Sequence, residues 1–268
     1  MHRVLVIGSV HYDRIWRLES PLVPAGRLRV RDKTMVLGGG GFNTGSALTA
    51  LGAQVVLVCR LMRDALGSAA LETIARAGFD TQHVEMVDGE SEPLDVLLDP
   101  NGERTILTPV RAGAEPLRVR EPLAAEAAYL NAVLLDDSVL RILDQTPLVV
   151  SQLPLRRATP RPADYVVTSR ADVGDDIAAT WRTATAIAGS RLKALVVTDG
   201  PLPVTLYDGA IVTHIAVESE VKATSTIGAG DRFCGAFLLA LMDGAAITDA
   251  VVQAAGLTAA WLQKQKPA

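Results

Sequence analysis

The residues with the clearest chemical potential form a short turn near the C-terminal end, Thr226–Asp231, which leads directly into an apolar segment. Two glycines flank Ala229 in this turn, so its backbone N–H groups are not screened by bulky side chains. A helix that begins here offers unpaired donors and partial positive charge to an anion such as phosphate. The Asp231 carboxylate would repel that anion. Its presence is explained if it accepts a proton from a nucleophile that attacks the bound phosphate. For the turn alone, a glycine cap with a capping Asp is the alternative.

A second glycine segment, Gly38–Gly41, precedes Phe42, Asn43 and a helical stripe of apolar residues. Glycines in series let the backbone approach a ligand closely. Asn43 suits the N-cap of the helix, and its carboxamide could instead bond to a hydroxyl group. The segment taken alone therefore leaves two interpretations open: a flexible capped loop, or a binding loop for a hydroxylated ligand.

Composition and charge exclude several classes of function. The chain has 268 residues, a net charge of −4, and 49% hydrophobic residues of which few are aromatic. An acidic balance argues against a general nucleic-acid-binding protein. The longest apolar run, Phe233–Met242, is too short to cross a bilayer. Cys59 and Cys234 lie in apolar contexts typical of buried reduced thiols, and no signal-peptide pattern precedes the first strand, so we expect a cytoplasmic protein without a membrane partner.

The elements that must position these residues follow an alternating pattern. Short Val/Leu/Ile runs alternate with longer Ala/Leu segments, which predicts a doubly wound α/β fold whose mainly parallel sheet is flanked by helices. The predicted strands are Val4–Ile7, Val55–Cys59, Ala132–Leu135, Leu148–Ser151, Tyr165–Thr168 and Ala194–Thr198. The predicted helices are Asn43–Leu51, Ser68–Ala77, Ile177–Ala188, Asp231–Met242 and Ile247–Gln263. Ligands in such folds bind beyond the carboxyl ends of the strands.

Segments outside this alternation predict a small β-flap. Leu28–Leu37 alternates polar and apolar residues, and Leu94–Leu107 contains a hairpin-like turn. We expect both to form one lid on the side of Asp13 and Asn43, as an excursion of about 14–37 and 92–108 from a single domain covering 1–268. Its exposed edge is a candidate homodimer surface. Residues 109–128 are expected to form surface turns or a short helix.

Four segments, in order along the chain, resemble the ribokinase/PfkB family of sugar and nucleoside kinases. They are the first strand with Gly8–Asp13, the glycine segment Gly38–Asn43, the lid turn Asp99–Ile106, and Thr226–Asp231, which is similar to the family's TxGAGD signature. The resemblance implies a ribokinase-like fold and an enzyme that transfers the γ-phosphoryl group of ATP, with Mg²⁺, to a hydroxyl of a small sugar or keto-sugar. Tyr165–Arg170 resembles the ketohexokinase and sulfofructose-kinase-like branch, which points to a keto-sugar.

The resemblance also implies roles for individual residues. Gly228, Ala229 and Gly230 would form the anion hole, and Asp231 would deprotonate the acceptor hydroxyl; the helix N-terminus should favour its ionised form. The sugar would be bound by Asp13, Gly39, Gly40 and Asn43. The nucleotide would be bound by Ser169, Thr198, Gly200, Thr226, Gly228, Gly230, Ala254 and Ala255.

Two further residues have competing interpretations. Arg104 in the lid turn could clamp an anionic substituent of the substrate, or project into solvent. Asp136 follows a predicted strand and could bind substrate, or cap the next helix. Both are retained as candidate substrate-binding residues.

The chain departs from the family's pattern at three places. Ser225 stands where many members carry Asp, and Gly40 where a Lys is common. Ser169–Asp172 replaces the family's NxxE stretch, so Asp172 would influence Mg²⁺ only through water, with no direct metal ligand in the chain. These departures keep a non-catalytic sugar- or nucleotide-sensing homologue as one alternative, against which the intact Gly228–Asp231 argues. A nucleoside kinase is the other alternative.

Overall fold

The computed structural model describes residues 2–109, 115–119, 123–217 and 226–264. The strands in these ranges are β1 (Arg3–Ile7), β2 (His11–Leu18), β3 (Val30–Gly38), β4 (Gln54–Met62), β5 (Val84–Val87), β6 (Leu94–Leu98), β7 (Arg104–Leu107), β8 (Ala127–Leu130), β9 (Leu148–Gln152), β10 (Tyr165–Ser169), β11 (Ala194–Asp199), β12 (Leu202–Tyr207) and β13 (Val212–Ile215). The α-helices are α1 (Gly40–Ala50), α2 (Ala65–Arg76), α3 (Asp137–Gln145), α4 (Arg170–Val173), α5 (Ile177–Ala188), α6 (Ala229–Met242) and α7 (Ile247–Gln263).

The main sheet has nine strands in the order β13-β12-β11-β10-β9-β8-β1-β4-β5. The strands from β11 to β5 along this order run parallel, and β12 and β13 add an antiparallel hairpin at one edge. Since β1 lies between β8 and β4, the chain winds outward from it in both directions. The predicted doubly wound, mainly parallel sheet is confirmed, and its topological switch point lies between β1 and β8.

Hydrophobic layers cover both faces of the main sheet. Val4 and Val6 of β1 face a cluster that includes residues of α1, α2, α6 and α7. Leu5 and Ile7, the alternate residues of the same strand, face a second cluster with α3 and α5. A strand buried on both faces has no polar alternation, which explains the continuous apolar runs in the sequence. In the described part of the chain, no helix is long and apolar enough to span a membrane.

A second, four-stranded sheet has the order β3-β2-β6-β7. It brings the two alternating segments of the sequence together, with β2 running parallel to β6 between them. Asp13 lies on β2 itself, so this sheet contributes directly to the site described below. Three of its buried side chains, those of Ile15, Val96 and Leu98, pack with Ile227 of the C-terminal turn. That this sheet acts as a lid stays a prediction.

The structure corrects one predicted strand. Ala132–Leu135 is not a strand, because the chain enters the sheet earlier, as Ala127–Leu130 between β1 and β9. All four residues of β8 are fully buried in this central position, and two of them are alanines, although alanine is a poor strand former. The loop that follows is instead fixed by Arg161, whose guanidinium donates to the carbonyls of Ala132 and Val133.

Other elements were not anticipated from the sequence. Strands β5 and β13 are four-residue strands at the two edges of the main sheet, and β12 pairs with β13 in an antiparallel hairpin, so apolar patterning is weak there. The expectation of turns or a short helix over 109–128 is wrong at its end, where β8 begins. Its residues 110–114 and 120–122 lie outside the described residues. Helix α3 is short, in agreement with the short spacing between β8 and β9.

The side chain of His2 connects the start of β1 to two segments that are distant in sequence. Its Nδ1 lies 2.9 Å from Glu126 Oε2 and its Nε2 lies 2.9 Å from Asp243 Oδ1. Glu126 directly precedes β8, and Asp243 ends α6. The hydrogen bonds to both carboxylates raise the pKa of His2 above its usual value near 6.5.

We predict that this contact makes stability depend on pH. A raised folded pKa means that the stabilisation is fully present below the unfolded pKa of about 6.5 and is lost as pH rises through the folded pKa. The Tm difference between the wild type and His2→Asn should be larger at pH 6 than at pH 9. The change should not exceed about 2 °C, because exposed ion pairs contribute little. A difference that is equal at both pH values, by calorimetry, would contradict the assignment.

Candidate active site

The C-terminal turn opens helix α6 at its N-terminus. Gly228 is the N-cap residue, with the left-handed angles φ 81° and ψ 0°, which favour glycine. No side chain caps the helix, and a Cβ added at the exposed Gly230 would meet nothing within 4 Å. The first turn of α6 is therefore accessible to a ligand, and its N–H groups and dipole favour an anion there.

Asp231 is half-buried in this first turn, and Asn43 Nδ2 donates to its Oδ2 at 3.1 Å. Burial raises the pKa of the Asp231 carboxyl above its usual value. The Asn43 hydrogen bond and the positive charges of Arg104 and His11 lower this pKa, but they do not offset burial. Loss of hydration decides the direction of this shift. That the helix N-terminus keeps the carboxyl ionised at neutral pH stays a prediction.

Asn43 lies inside α1 and is not its N-cap. The cap is Gly39, whose carbonyl accepts from the Asn43 N–H at 2.9 Å, so the helix starts three residues earlier than predicted. The sequence did not show this, because glycines at a helix start are unfavourable unless a tertiary contact imposes them. The consequence is that the Asn43 carboxamide is free of capping duty and reaches Asp231.

A polar cluster at the switch point lies against the glycine segment. Ser9 Oγ donates to Asn131 Oδ1 at 2.9 Å, and Asn131 Nδ2 donates to Gln152 Oε1. A Cβ at the buried Gly40 would overlap the Asn131 carboxamide, so a larger residue fits only if that carboxamide moves. Hydrogen bonds to Ser9 and Gln152 hold the carboxamide in place.

These polar residues were missed from the sequence. Asn131 directly follows β8 and Gln152 ends β9, so both lie at the carboxyl edge of parallel strands. Polar residues at the ends of neighbouring apolar runs would have indicated these positions. They were overlooked because the sequence analysis placed this strand at Ala132–Leu135.

The four-stranded sheet contributes two charged groups. Asp13 is buried, with 7% of its surface exposed, and its Oδ1 lies 3.3 Å from His11 Nε2. Arg104 is exposed, and its Nη1 donates to the Thr226 carbonyl at 3.5 Å. Their charges act on Asp231 in opposite directions, Asp13 raising and Arg104 lowering its pKa. Asp13, Asn43, Arg104 and the C-terminal turn are thus gathered at one place.

A second group of predicted residues lies at the carboxyl ends of β10 and β11. Ser169 and Thr198 are register partners there, and Thr198 Oγ1 donates to the Thr168 carbonyl at 3.2 Å. Gly200 lies in the exposed turn that follows β11. Ser169 Oγ donates to Asp172 Oδ2 at 2.6 Å, so the two residues satisfy each other.

Three predicted positions fit less well or are not described. Ala254 is fully buried in the core, which leaves it no surface for a ligand in this conformation, whereas Ala255 is half-buried. Asp136 accepts from the N–H groups of Ser138 and Val139, so the capping interpretation holds and its carboxylate is occupied as the N-cap of α3. Ser225 lies outside the described residues. Cys59 and Cys234 are buried free thiols, as predicted.

Comparison with known proteins decides the family. A model of the pfkB family carbohydrate kinases matches residues 1–143 and 166–268, which is most of the chain. The protein belongs to the pfkB family of carbohydrate kinases. It is a phosphotransferase with an alcohol group as acceptor, as relatives and family model together show.

Two curated relatives act on different sugars. A D-beta-D-heptose 7-phosphate kinase from Bordetella bronchiseptica is 28% identical over 259 residues, covering 85% of this chain and 80% of the relative. A ribokinase from Haemophilus influenzae is 22% identical over 273 residues, covering 92% of this chain and 87% of the relative.

Solved structures share the fold at low identity. An Arabidopsis thaliana ribokinase complexed with ribose and ATP has a TM-score of 0.72 and 17% identity, covering 99% of this chain and 94% of its own. A Burkholderia thailandensis nucleoside kinase in complex with inosine has a TM-score of 0.74 and 18% identity, covering 98% and 92%. These neighbours confirm the ribokinase-like fold.

We predict that Gly40→Ala destabilises the protein by about 1–3 kcal/mol, because its Cβ would overlap the Asn131 carboxamide. The matched control is Gly256→Ala on the exposed face of α7, where a Cβ meets nothing; it should gain about 0.5–1 kcal/mol.

The double variant Gly40→Ala with Asn131→Ala tests the cause of this effect. Truncating Asn131 removes the overlap with the new Cβ. The free energy of unfolding of the double variant should therefore exceed the value expected when the losses in the two single variants are added. Strict additivity in denaturant unfolding would show that the clash lies elsewhere.

Proposed function

We propose that the protein transfers the γ-phosphoryl group of ATP to a hydroxyl of a small sugar or keto-sugar, with Asp231 as general base. One observation carries this proposal: a half-buried carboxylate with a raised pKa, fixed by Asn43, stands beside the accessible N-terminus of α6. A structural carboxylate would gain from more donors, whereas a base needs a free oxygen and a raised pKa.

The proposed reaction uses the residues in the order of proton and phosphoryl transfer. Asp13 and Asn43 hold hydroxyls of the acceptor, and the attacking hydroxyl gives its proton to Asp231. Its oxygen forms a bond to the γ-phosphorus while the bond from that phosphorus to the bridging oxygen of ADP breaks. ADP leaves with the electron pair. The raised pKa makes Asp231 a better acceptor for this proton than an exposed carboxylate.

Gly228, Ala229 and Gly230 are proposed to bind the transferred phosphoryl group. Each well-placed N–H donor at such a site lowers the barrier by about 3–4 kcal/mol. The positive end of the α6 dipole also acts on the charge that develops during transfer. The absence of bulky side chains in this turn, where Gly230 is exposed, supports the assignment.

The nucleotide is proposed to lie along the carboxyl ends of β10 and β11, near Ser169, Thr198 and Gly200. Support comes from the Arabidopsis ribokinase, a structural neighbour complexed with ribose and ATP. Among the described residues, no group of three or more His, Cys, Asp or Glu could hold a metal ion. Mg²⁺ would therefore be held by phosphates and water, with Asp172 acting through water, and it would neutralise phosphate charge.

A nucleoside acceptor is the second candidate. The observation that favours it is the Burkholderia neighbour, a nucleoside kinase solved with inosine. Ile15, Val96 and Leu98 of the four-stranded sheet are buried, so in this conformation they offer a nucleobase no apolar surface. An ADP-release assay over a panel of sugars, keto-sugars and nucleosides distinguishes the two candidates, and no turnover on any of them would favour a sensing role.

A homodimer through the four-stranded sheet remains part of the proposal. Exposed apolar side chains on its edge strands support it, namely those of Val30, Met35, Val36, Ile106 and Leu107.

We predict that Asp231→Asn lowers kcat by about 10²–10⁴-fold, because the proton acceptor is lost. Asn has the same shape and can accept from Asn43, so Tm and ATP affinity should stay close to those of the wild type. The matched control is Asp249→Asn in the exposed first turn of α7, which should keep full activity. Retention of most of kcat in Asp231→Asn would remove the residue from this role.

A second prediction concerns pH. The base must be ionised, so kcat/KM should fall as pH falls through the pKa of Asp231, which lies above the usual aspartate value. The Asn43 hydrogen bond lowers this pKa, so Asn43→Leu should move the acidic limb of the profile to higher pH. The matched control is Gln145→Leu at the exposed end of α3, which also removes a carboxamide and should leave the pH profile unchanged. An unmoved limb in Asn43→Leu would mean that another group titrates.

A further inference from the structure

Arg232, the residue after Asp231, has no partner in the part of the chain that the structure describes. It is half-buried, its Nε is enclosed without an acceptor, and no ion pair or side-chain hydrogen bond forms there. Other half-buried arginines are paired: Arg60 with Glu85, Arg170 with Thr205, and Arg191 with Asp164. Arg161, which is more deeply buried, has no carboxylate partner either, but it donates to backbone carbonyls. Among the described arginines, an enclosed nitrogen without any acceptor is therefore an exception that needs an explanation.

The position makes the lack of a partner more costly. Arg232 lies in the first turns of α6, where the helix dipole is positive and disfavours a cation. Burial, with no carboxylate to offset it, lowers the pKa of Arg232. Asp231 does not relieve this charge, because consecutive residues on a helix do not face each other. In the free protein, the Arg232 guanidinium thus lies near the positive end of the α6 dipole without a carboxylate paired to it.

Helix geometry places Arg232 on the side of the glycine turn. Its N–H donates to the Gly228 carbonyl at 2.9 Å, and residues four apart share one face of a helix. Long helical side chains lean toward the N-terminus, and Gly228 has no side chain to block that direction. Asn43 and Trp261 border the same glycine, each 3.7 Å from the position of a Cβ there.

We propose that Arg232 binds phosphate oxygens of the nucleoside triphosphate, together with the N–H groups of Gly228–Gly230. This inference rests on the proposed function and adds a side-chain cation to a site otherwise built from backbone donors. A guanidinium is charged at all working pH values and can bind two phosphate oxygens at once. The bound polyphosphate supplies the anion that the free protein lacks at this position.

The test measures binding without turnover. Affinities for inorganic tripolyphosphate and for ATP are determined by calorimetry in the wild type, Arg232→Gln, Arg232→Lys and Arg182→Gln. Arg182 is an exposed arginine on α5, on the opposite face of the sheet, and serves as the matched loss of charge. Arg232→Gln should weaken both affinities by about 10- to 100-fold, Arg232→Lys should weaken them less, and Arg182→Gln should leave them unchanged.

Ligand-free stability separates binding from a structural role. Removing an enclosed, unpaired cation should leave Tm unchanged or raise it, so Arg232→Gln should melt no lower than the wild type without ligand and gain less Tm from ATP. A lower ligand-free Tm, or equal affinities in Arg232→Gln and wild type, would overturn the proposal. So would an effect confined to KM for the acceptor, which would assign Arg232 to an anionic group of that substrate.

The outcome is independent of whether the proposed function holds. If the wild type turns over no acceptor but its tripolyphosphate affinity still depends on Arg232, the kinase proposal fails and the phosphate-binding role stands. If the wild type phosphorylates a sugar, and replacing Arg232 leaves the affinities for tripolyphosphate and ATP unchanged, the kinase proposal stands and the phosphate-binding role of Arg232 fails.

Discussion

The hydrogen bond between Asn43 and Asp231 is the contact on which the site depends, since it joins two glycine segments 188 residues apart in sequence. It exists because α1 and α6 pack closely where small residues meet. A Cβ at Gly235 of α6 would lie 3.1 Å from Ala47 Cβ and 3.3 Å from the Thr44 carbonyl of α1. A Cβ at 235 would require its neighbours on α1 to shift by a few tenths of an ångström, and a bulky side chain there would disturb the packing that brings Asn43 to Asp231.

The four-stranded sheet is connected to the same turn by both apolar and polar contacts. Ile15 and its neighbours pack on Ile227, while Arg104 donates to the carbonyl of Thr226. Movement of this sheet would therefore alter the charges around Asp231 as well as access to it. Arg104 and His11 lower the pKa of Asp231, whereas Asp13 of the same sheet and burial raise it. The proton affinity of Asp231 therefore depends on the position of this sheet.

The sequence predicted what is local and missed what the sheet assembles. The glycine segments, Asp231 and most strands were found because their signals lie in consecutive residues. Asn131 and Gln152 were missed because their proximity arises from pairing β8 and β9 beside β1, which no local pattern encodes. Ala254 was misjudged because residue-by-residue resemblance does not show which face of α7 packs on α6. The direction of the Asp231 pKa also required knowledge of burial.

The charges at the start of α6 show how function limits stability. Buried Asp164, by contrast, is paired: it accepts from Arg191 at 2.7 Å and from Lys193 at 3.0 Å. Asp231 and Arg232 are neighbours of opposite charge, yet helix geometry keeps them on different faces, and burial disfavours the charged form of each. A chain selected for stability alone would pair or replace them. Because the two side chains are not paired, Asp231 can accept a proton and Arg232 can bind an anion. A ligand that supplies the proton and the anion would therefore relieve the free energy of burying two unpaired charges in the free protein.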